Sequence, residues 1–246
     1  MISRRTFLYI TGGATVTSFS LASKIMSTLP SEMDHILLGC KDLETGMVYM
    51  EKLCGYRAAI GGAHPGRGTH NALLKLGYRS YLEILAPDPA QPELVWHKEV
   101  ATLDSPMLIG WAVPVKNIEQ YATHLRGRGI ACAGPMAGSR TKPSGESLRW
   151  KTLVLEDDQA GILPFYIEWA ADSAHPSNDA PGACVLNRMV RTGQVIDSPA
   201  PGPEFHRVTF PNVPDAQLHV FIEGRFGEFE LKSRAIPSEG WSKTGR

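Results

Sequence analysis

The chain has no charge excess of either sign: its 246 residues carry 25 basic and 25 acidic side chains. It shows no basic stripe, and this excludes nucleic acid as the expected partner. Cysteine is sparse. Cys40, Cys54, Cys132 and Cys184 are widely scattered and form no CxxC pair, so zinc-ribbon and thioredoxin-type readings fail. They read as buried free thiols, with one disulfide as the alternative in an oxidising compartment. Long apolar runs are also missing, since a membrane span needs ~20 mainly apolar residues and none is present.

The most informative stretch comes first. Ser3-Arg4-Arg5-Thr6-Phe7-Leu8 precedes an uncharged segment that reaches Ala22 and is diluted by Gly12, Gly13 and several threonines. Paired arginines ahead of a short, moderately apolar run have the form of a twin-arginine export signal. The small residues Ser20-Leu21-Ala22 place cleavage after Ala22. The expectation is delivery to the periplasm or secretion, with no stable membrane anchor after cleavage. An ordinary N-terminal helix carrying Arg-Arg is the alternative. Loss of residues 1–22 would leave about 224 residues, 23 basic against 25 acidic, enough for one large domain or two small ones.

A weak internal repeat organises the chain beyond this leader. Cys40-Lys41-Asp42-Leu43-Glu44 aligns with Val115-Lys116-Asn117-Ile118-Glu119, 75 residues further on. Each block follows an apolar, strand-like run and opens an amphipathic helix, ending near Gly55 in the first copy and near Gly127 in the second. Strand-like segments come next: 71–76 and 80–85 in one unit, 148–155 and 165–169 in the other. Each unit reads strand, helix, strands, which makes the class α+β with mainly antiparallel sheet.

Carboxylates inside these apolar strands mark a candidate site. Glu83 lies between Leu82 and Ile84, and Glu168 between Ile167 and Trp169. A carboxylate on a half-buried strand is costly unless it is paired or bound to a cation. Alternation puts Tyr81 with Glu83 on one face, and Tyr166 with Glu168 on one face. His35 stands at the start of the first strand. One imidazole and two carboxylates suit a divalent ion such as Fe, Mn, Zn or Ni. The loop that holds His64, Arg67 and His70 has the donors to grip a carboxylate or keto-acid, and Arg149 joins this expected substrate-binding set. The plainer reading pairs Glu83 and Glu168 with Arg79 or Arg149 as structural ion pairs, and makes His35 a hydrogen-bonded core residue.

Several blocks carry a family resemblance: Asp34-His35-Ile36, His64-Pro65-Gly66-Arg67-Gly68-Thr69-His70-Asn71, Tyr81-Leu82-Glu83, Leu148-Arg149-Trp150, Leu163-Pro164-Phe165-Tyr166-Ile167-Glu168-Trp169 and His175-Pro176. The chain resembles the vicinal-oxygen-chelate superfamily, in particular its glyoxalase-like branch, over residues 33–176. The resemblance implies two βαβββ units (about 33–89 and 106–171) curling into a cup-shaped sheet flanked by helices. It also implies a divalent metal held from the first and last strands of each unit. Carried over, the ligand positions are His35, Glu83, Gly110 and Glu168; a glycine cannot ligate through a side chain. That leaves His35, Glu83 and Glu168 as the implied metal set, with His70 as a replacement ligand and Glu83 and Glu168 as proton carriers. The implied function is a metal-dependent lyase, isomerase or dioxygenase acting on a small oxygenated metabolite. A metal-free binder that sequesters a small molecule is the second reading, and a dimer scaffold the third.

Residues 177–214 are rich in proline and read as an extended wrap. Segments 218–222 and 226–231 then read as a β-hairpin, which either extends the cup's sheet or forms a homodimer contact.

Overall fold

In a computed structural model of the chain, residues 33–156, 161–192, 194–195 and 216–235 are described. The proposed leader, residues 1–22, lies outside them. The first unit comprises β1 (His35–Gly39), α1 (Leu43–Cys54), β2 (Ala59–His64), β3 (Thr69–Gly77) and β4 (Ser80–Pro87). The second comprises β5 (Met107–Pro114), α2 (Ile118–Gly127), β6 (Cys132–Thr141), β7 (Ser147–Leu155) and β8 (Phe165–Trp169).

The helices start where the caps demand. Asp42 accepts from the Thr45 backbone N–H at 2.8 Å, and Gly55 closes α1 in the left-handed conformation at φ 76°. Asn117 caps α2 in the same way, accepting from the Gln120 N–H at 3.2 Å. Asp42 and Asn117 therefore occupy equivalent places, 75 residues apart.

The eight strands do not stay open as a cup. They close into a barrel in the order β1-β4-β3-β2-β6-β7-β8-β5, with β5 returning to β1. Closure removes the free edges that an open sheet would leave. One seam is thin: β2 meets β6 through the single pair Ala63↔Thr141, while β6 and β7 run together over eight pairs. The chains come so close at this seam that a Cβ on Gly62 would collide with the Thr141 carbonyl, and Gly62 has φ +138°. Only glycine meets both conditions.

Alternation divides the side chains into two cores. Outward-facing Ile36, Leu38, Leu82, Ile84, Trp111 and Tyr166 pack beneath the helices. Inward-facing Leu37, Leu85, Ala112, Trp150, Phe165 and Ile167 fill the barrel, joined by Val100 and Leu103 from the connection between the units, where Lys98–Thr102 forms a 3-10 helix.

The tail departs from expectation. The expected hairpin is present as β11 (Leu218–Gly224) and β12 (Gly227–Lys232), numbered after β10 (Gln194–Val195), but it neither extends the barrel nor stands alone. It pairs with β9 (Val185–Arg191), inside the stretch read as a wrap, to give a separate sheet in the order β10-β9-β11-β12. Leu186, Met189, Leu218, Val220, Ile222 and Leu231 from this sheet complete the outer core. All four cysteines are buried free thiols.

Candidate functional site in the barrel interior

Parallel pairing of β1 with β4 sets His35 beside Tyr81 and Leu37 beside Glu83. Both His35 and Glu83 point into the barrel, 3% and 6% exposed. The His35 Nε2 lies 3.6 Å from Glu83 Oε2, and its Nδ1 lies 2.7 Å from Asp34 Oδ1. One imidazole therefore bridges two buried carboxylates. The ring is fixed by stacking on Tyr81, centroid to centroid 4.8 Å, and by the edge of Phe165 at 5.4 Å.

The second oxygen of Glu83 is held from the neighbouring strand. Asn71 Nδ2 donates to Glu83 Oε1 at 2.8 Å and also sits 3.2 Å from His64 Nε2. An amide N–H can only donate, so His64 Nε2 is the acceptor and its Nδ1–H faces Thr69 Oγ1 at 2.8 Å. His64 is thus a neutral imidazole. Burial, with Arg140 and Arg67 nearby, brings its pKa down to about 4 despite the opposing pull of Glu83.

Burial opposes the charge on Glu83, but His35, His64, the Asn71 N–H and Arg140 outweigh it and hold the carboxyl below its usual range. Asp34 behaves likewise. Burial works against its charge, yet hydrogen bonds from His175 and His35 carry it well below the ordinary aspartate value. His175 Nε2 approaches Asp34 Oδ2 at 3.1 Å, and Trp169 Nε1 donates to the same oxygen at 2.9 Å. Buried carboxylates persist only with such partners.

Around this cluster remains a cavity of about 20 Å³, lined by His35, His64, Asn71, Glu83 and Arg140 among others. That is room for roughly one water molecule. A larger pocket of about 740 Å³ lies outside, where Trp150 and Trp169 form the wall shared with the interior.

The residues nominated from sequence are dispersed. His35, Glu83 and His64 meet in the interior. Arg67 and Arg149 line the outer pocket instead, where Arg149 pairs with Asp172 and Arg67 lies over the Trp96 ring at 4.6 Å. His70 precedes the inward Asn71 by one residue, so it faces outward, on the side of Asp42 and Asp88.

Glu168 does not join Glu83. Its carboxylate accepts from the backbone N–H groups of Asn117, at 2.7 Å, and Ile118, at 3.1 Å, capping α2 outside the barrel. Strand register explains the correction. With Asp42 and Asn117 equivalent, Leu37 corresponds to Ala112; their partners in the parallel pairs are Glu83 and Phe165. The counterpart of Glu83 is therefore Phe165, and Glu168, three residues on, falls on the opposite face. Nor does Gly110 supply a donor, so the second unit offers no ligand at either implied position. Among the described residues, no three His, Cys, Asp or Glu side chains converge in a way that would hold a metal ion. Asn71 adds to the misfit by presenting a donor where ligand lone pairs would have to meet.

Four contributors went unassigned in the sequence: Asp34, Asn71, Arg140 and His175. Asp34 and Asn71 adjoin nominated histidines in the chain, and that adjacency is the signal available. His175 reaches Asp34 across 141 residues of sequence, and nothing local announces it.

Comparison with known proteins places these features. A family model described as a glyoxalase-like domain matches residues 33–200. No curated protein matches the chain. Among solved structures, a hypothetical protein from Staphylococcus aureus is similar at 13% identity and a TM-score of 0.52, covering 82% of this chain and 88% of that one. Methylmalonyl-CoA epimerase from Streptomyces coelicolor, in complex with 2-nitronate-propionyl-CoA, aligns at 18% identity with a TM-score of 0.44 over 59% of this chain and 99% of its own. The Mycobacterium tuberculosis epimerase aligns at 15% identity and 0.39, over 60% and 92%.

Proposed function

The chain belongs to the glyoxalase-like domain family, and we propose that it is an enzyme of lyase or isomerase type that moves a proton on a small oxygenated substrate, with Glu83 as the proton carrier. The observation that supports this is the buried Glu83 carboxylate, flanked by His35 at one oxygen and by Asn71 and His64 at the other. A buried carboxylate kept ionised by specific neighbours in a closed interior is a candidate for acting on protons. In this reading the interior widens beyond its one-water cavity to admit the substrate, and Glu83 takes a proton from a carbon beside the substrate's oxygens. His35, oriented by Asp34, receives or returns a proton at its Nε2. Asn71 holds the Glu83 carboxylate in place throughout, and the aromatic walls Trp150, Phe165 and Trp169 keep bulk water out. The residues nominated for a divalent metal are not assembled, so no step is routed through one.

Solvent exchange tests the proposal. In D2O, wild-type protein should replace a C–H proton of at least one member of a panel of small hydroxy and keto compounds, followed by loss of the proton NMR signal. Glu83→Gln should slow this by about 10²–10⁴-fold. An equal rate in Glu83→Gln would overturn the role of Glu83. A wild type that binds panel members without exchanging them would favour the sequestering reading, for which the outer pocket walled by Trp150 and Trp169 is the natural seat.

Export by the twin-arginine route belongs to the same proposal and rests on Arg4-Arg5 and the uncharged run after them. Arg4→Lys combined with Arg5→Lys should retain the protein in the cytoplasm on fractionation; unchanged export would remove this part.

A further inference from the structure

We propose that Arg140 anchors the carboxylate of a small 2-hydroxy acid that enters at the seam between β2 and β6. The inference deepens the proton-transfer reading by naming a substrate class, and rests on that reading only for the link between this site and Glu83.

Arg140 is 3% exposed, yet among the described residues it makes no ion pair, and its hydrogen bond runs from Nη1 to the Gly61 carbonyl. A guanidinium has five N–H donors. One backbone carbonyl uses a single one of them, and Glu83 meets the charge through space without a direct ion pair. The side chain also borders two spaces. Inward lies the small cavity with Glu83, His64 and Asn71; outward lies a pocket of about 280 Å³ at the seam, lined by Ile60, Gly61, Lys142 and Ser144 among others. Arg140 is the cation common to both. Lys142, on the outer wall, is already engaged by Glu146 and Asp179. An entering anion therefore finds at Arg140 N–H donors that no carboxylate of the described residues bridges, although the charge also acts through space on Glu83, and the planar fork suits a carboxylate.

An unsatisfied acceptor adjoins Arg140. Asn71 Oδ1 is buried without a hydrogen-bond partner, although the amide's nitrogen end is fully used. Gly61 makes room for both groups: a Cβ there would collide with Asn71 Oδ1 and press on Arg140 Nη1. A free acceptor beside an unbridged guanidinium matches a hydroxyl next to a carboxylate. Asn71 Nδ2 is bonded to Glu83, so a ligand whose carboxylate stays in the outer pocket at Arg140, with its hydroxyl in the one-water space of the interior, sits one side chain from the proposed proton carrier.

Titration calorimetry with racemic lactate, its neutral amide lactamide, and propionate tests the inference. Lactate should bind wild-type protein at least tenfold more tightly than lactamide, as loss of a charge-assisted pair requires, and more tightly than propionate, which lacks the hydroxyl. Arg140→Met should abolish the preference for lactate over lactamide, and Arg140→Lys should weaken lactate about tenfold. Gly61→Ala keeps every polar group and should also lose lactate, provided circular dichroism matches wild type. Absence of lactate binding to wild type, equal binding of lactate and lactamide, or wild-type affinity in a folded Arg140→Met or Gly61→Ala would overturn the proposal. The two readings fail separately. Arg140-dependent lactate binding without deuterium exchange would sink the reaction and keep the site. Exchange in a protein that does not distinguish lactate from lactamide would do the reverse.

Discussion

The two units of the barrel follow one chain path and carry opposite chemistry. In the first, the inward positions of β1 and β4 hold His35, Leu37 and Glu83; in the second, the matching positions of β5 and β8 hold Gly110, Ala112 and Phe165. Both helices are capped by an Asx side chain, but α2 needs a further cap from Glu168 while α1 has none from β4. A glutamate thus occurs in the last strand of each unit and does different work. One is sealed inside at real desolvation cost, the other neutralises the N-terminus of a helix. A repeat constrains backbone geometry and leaves the side chains free to diverge, so the site draws on one unit for its acids and bases and on the other for its walls.

Restoring equivalence should be costly. Phe165→Glu would put a carboxylate where the second unit has an aromatic ring packed against His35 and Trp96. The one imidazole there, His35, already faces Asp34 and Glu83, so a further buried charge destabilises by about 3–5 kcal/mol, or the group takes up a proton instead. Chemical denaturation gives the loss directly. Addition of Mn²⁺ or Zn²⁺ sharpens the comparison: recovery of the melting temperature in Phe165→Glu, with no change in wild type, would show that this one position separates the barrel from a metal site. A variant as stable as wild type without metal would contradict the assignment of Phe165 to the interior.

Acid should act first on the first unit. His64 is held neutral with a pKa of about 4 against an ordinary 6.5. A group whose folded pKa is depressed binds fewer protons than the unfolded chain between those values, so stability falls as pH drops from 6.5 towards 4. The full loss approaches roughly 3 kcal/mol. Asp34 and Glu83 are also depressed, but from lower starting values, so their contributions are lost only as pH falls below about 4. The interval between pH 6 and 4.5 therefore isolates His64. Thermal melts across it should show a clear decline in wild type and a much flatter one in His64→Gln. Parallel declines would place the titrating group elsewhere.

Legibility from sequence divides along the same line. The caps, the repeat and the inward placement of His35 and Glu83 follow from local rules of spacing and alternation, because each involves residues near one another in the chain. Pairing Tyr81-Leu82-Glu83 with Tyr166-Ile167-Glu168 failed for a definable reason. The separation between the units is 75 residues at the helix caps but 82 at the last strand, from Glu83 to Phe165. Extra residues between cap and strand move the second glutamate to the other face, and alternation within a strand cannot reveal such a shift. Closure of the cup, and the recruitment of Arg140, His175 and β9, depend on contacts between distant segments and have no local signature.

The mildest test concerns Glu168 and separates the two glutamates most cleanly. Glu168→Gln removes the charge that faces the α2 N-terminus but keeps an acceptor oxygen for the Asn117 and Ile118 N–H groups. The lost charge–dipole term is about 0.3–1 kcal/mol, and the retained hydrogen bonds limit the damage to that. For a domain of this size that is a drop in melting temperature of about 1–4 °C, shrinking further at high salt as exposed electrostatics are screened. Proton exchange and lactate binding should be unaffected, because the carboxylate lies across the sheet from Glu83. If Glu168→Gln impaired exchange as strongly as Glu83→Gln does, the two glutamates would have to share a site, and the face assignment drawn from the β5–β8 pairing would be wrong.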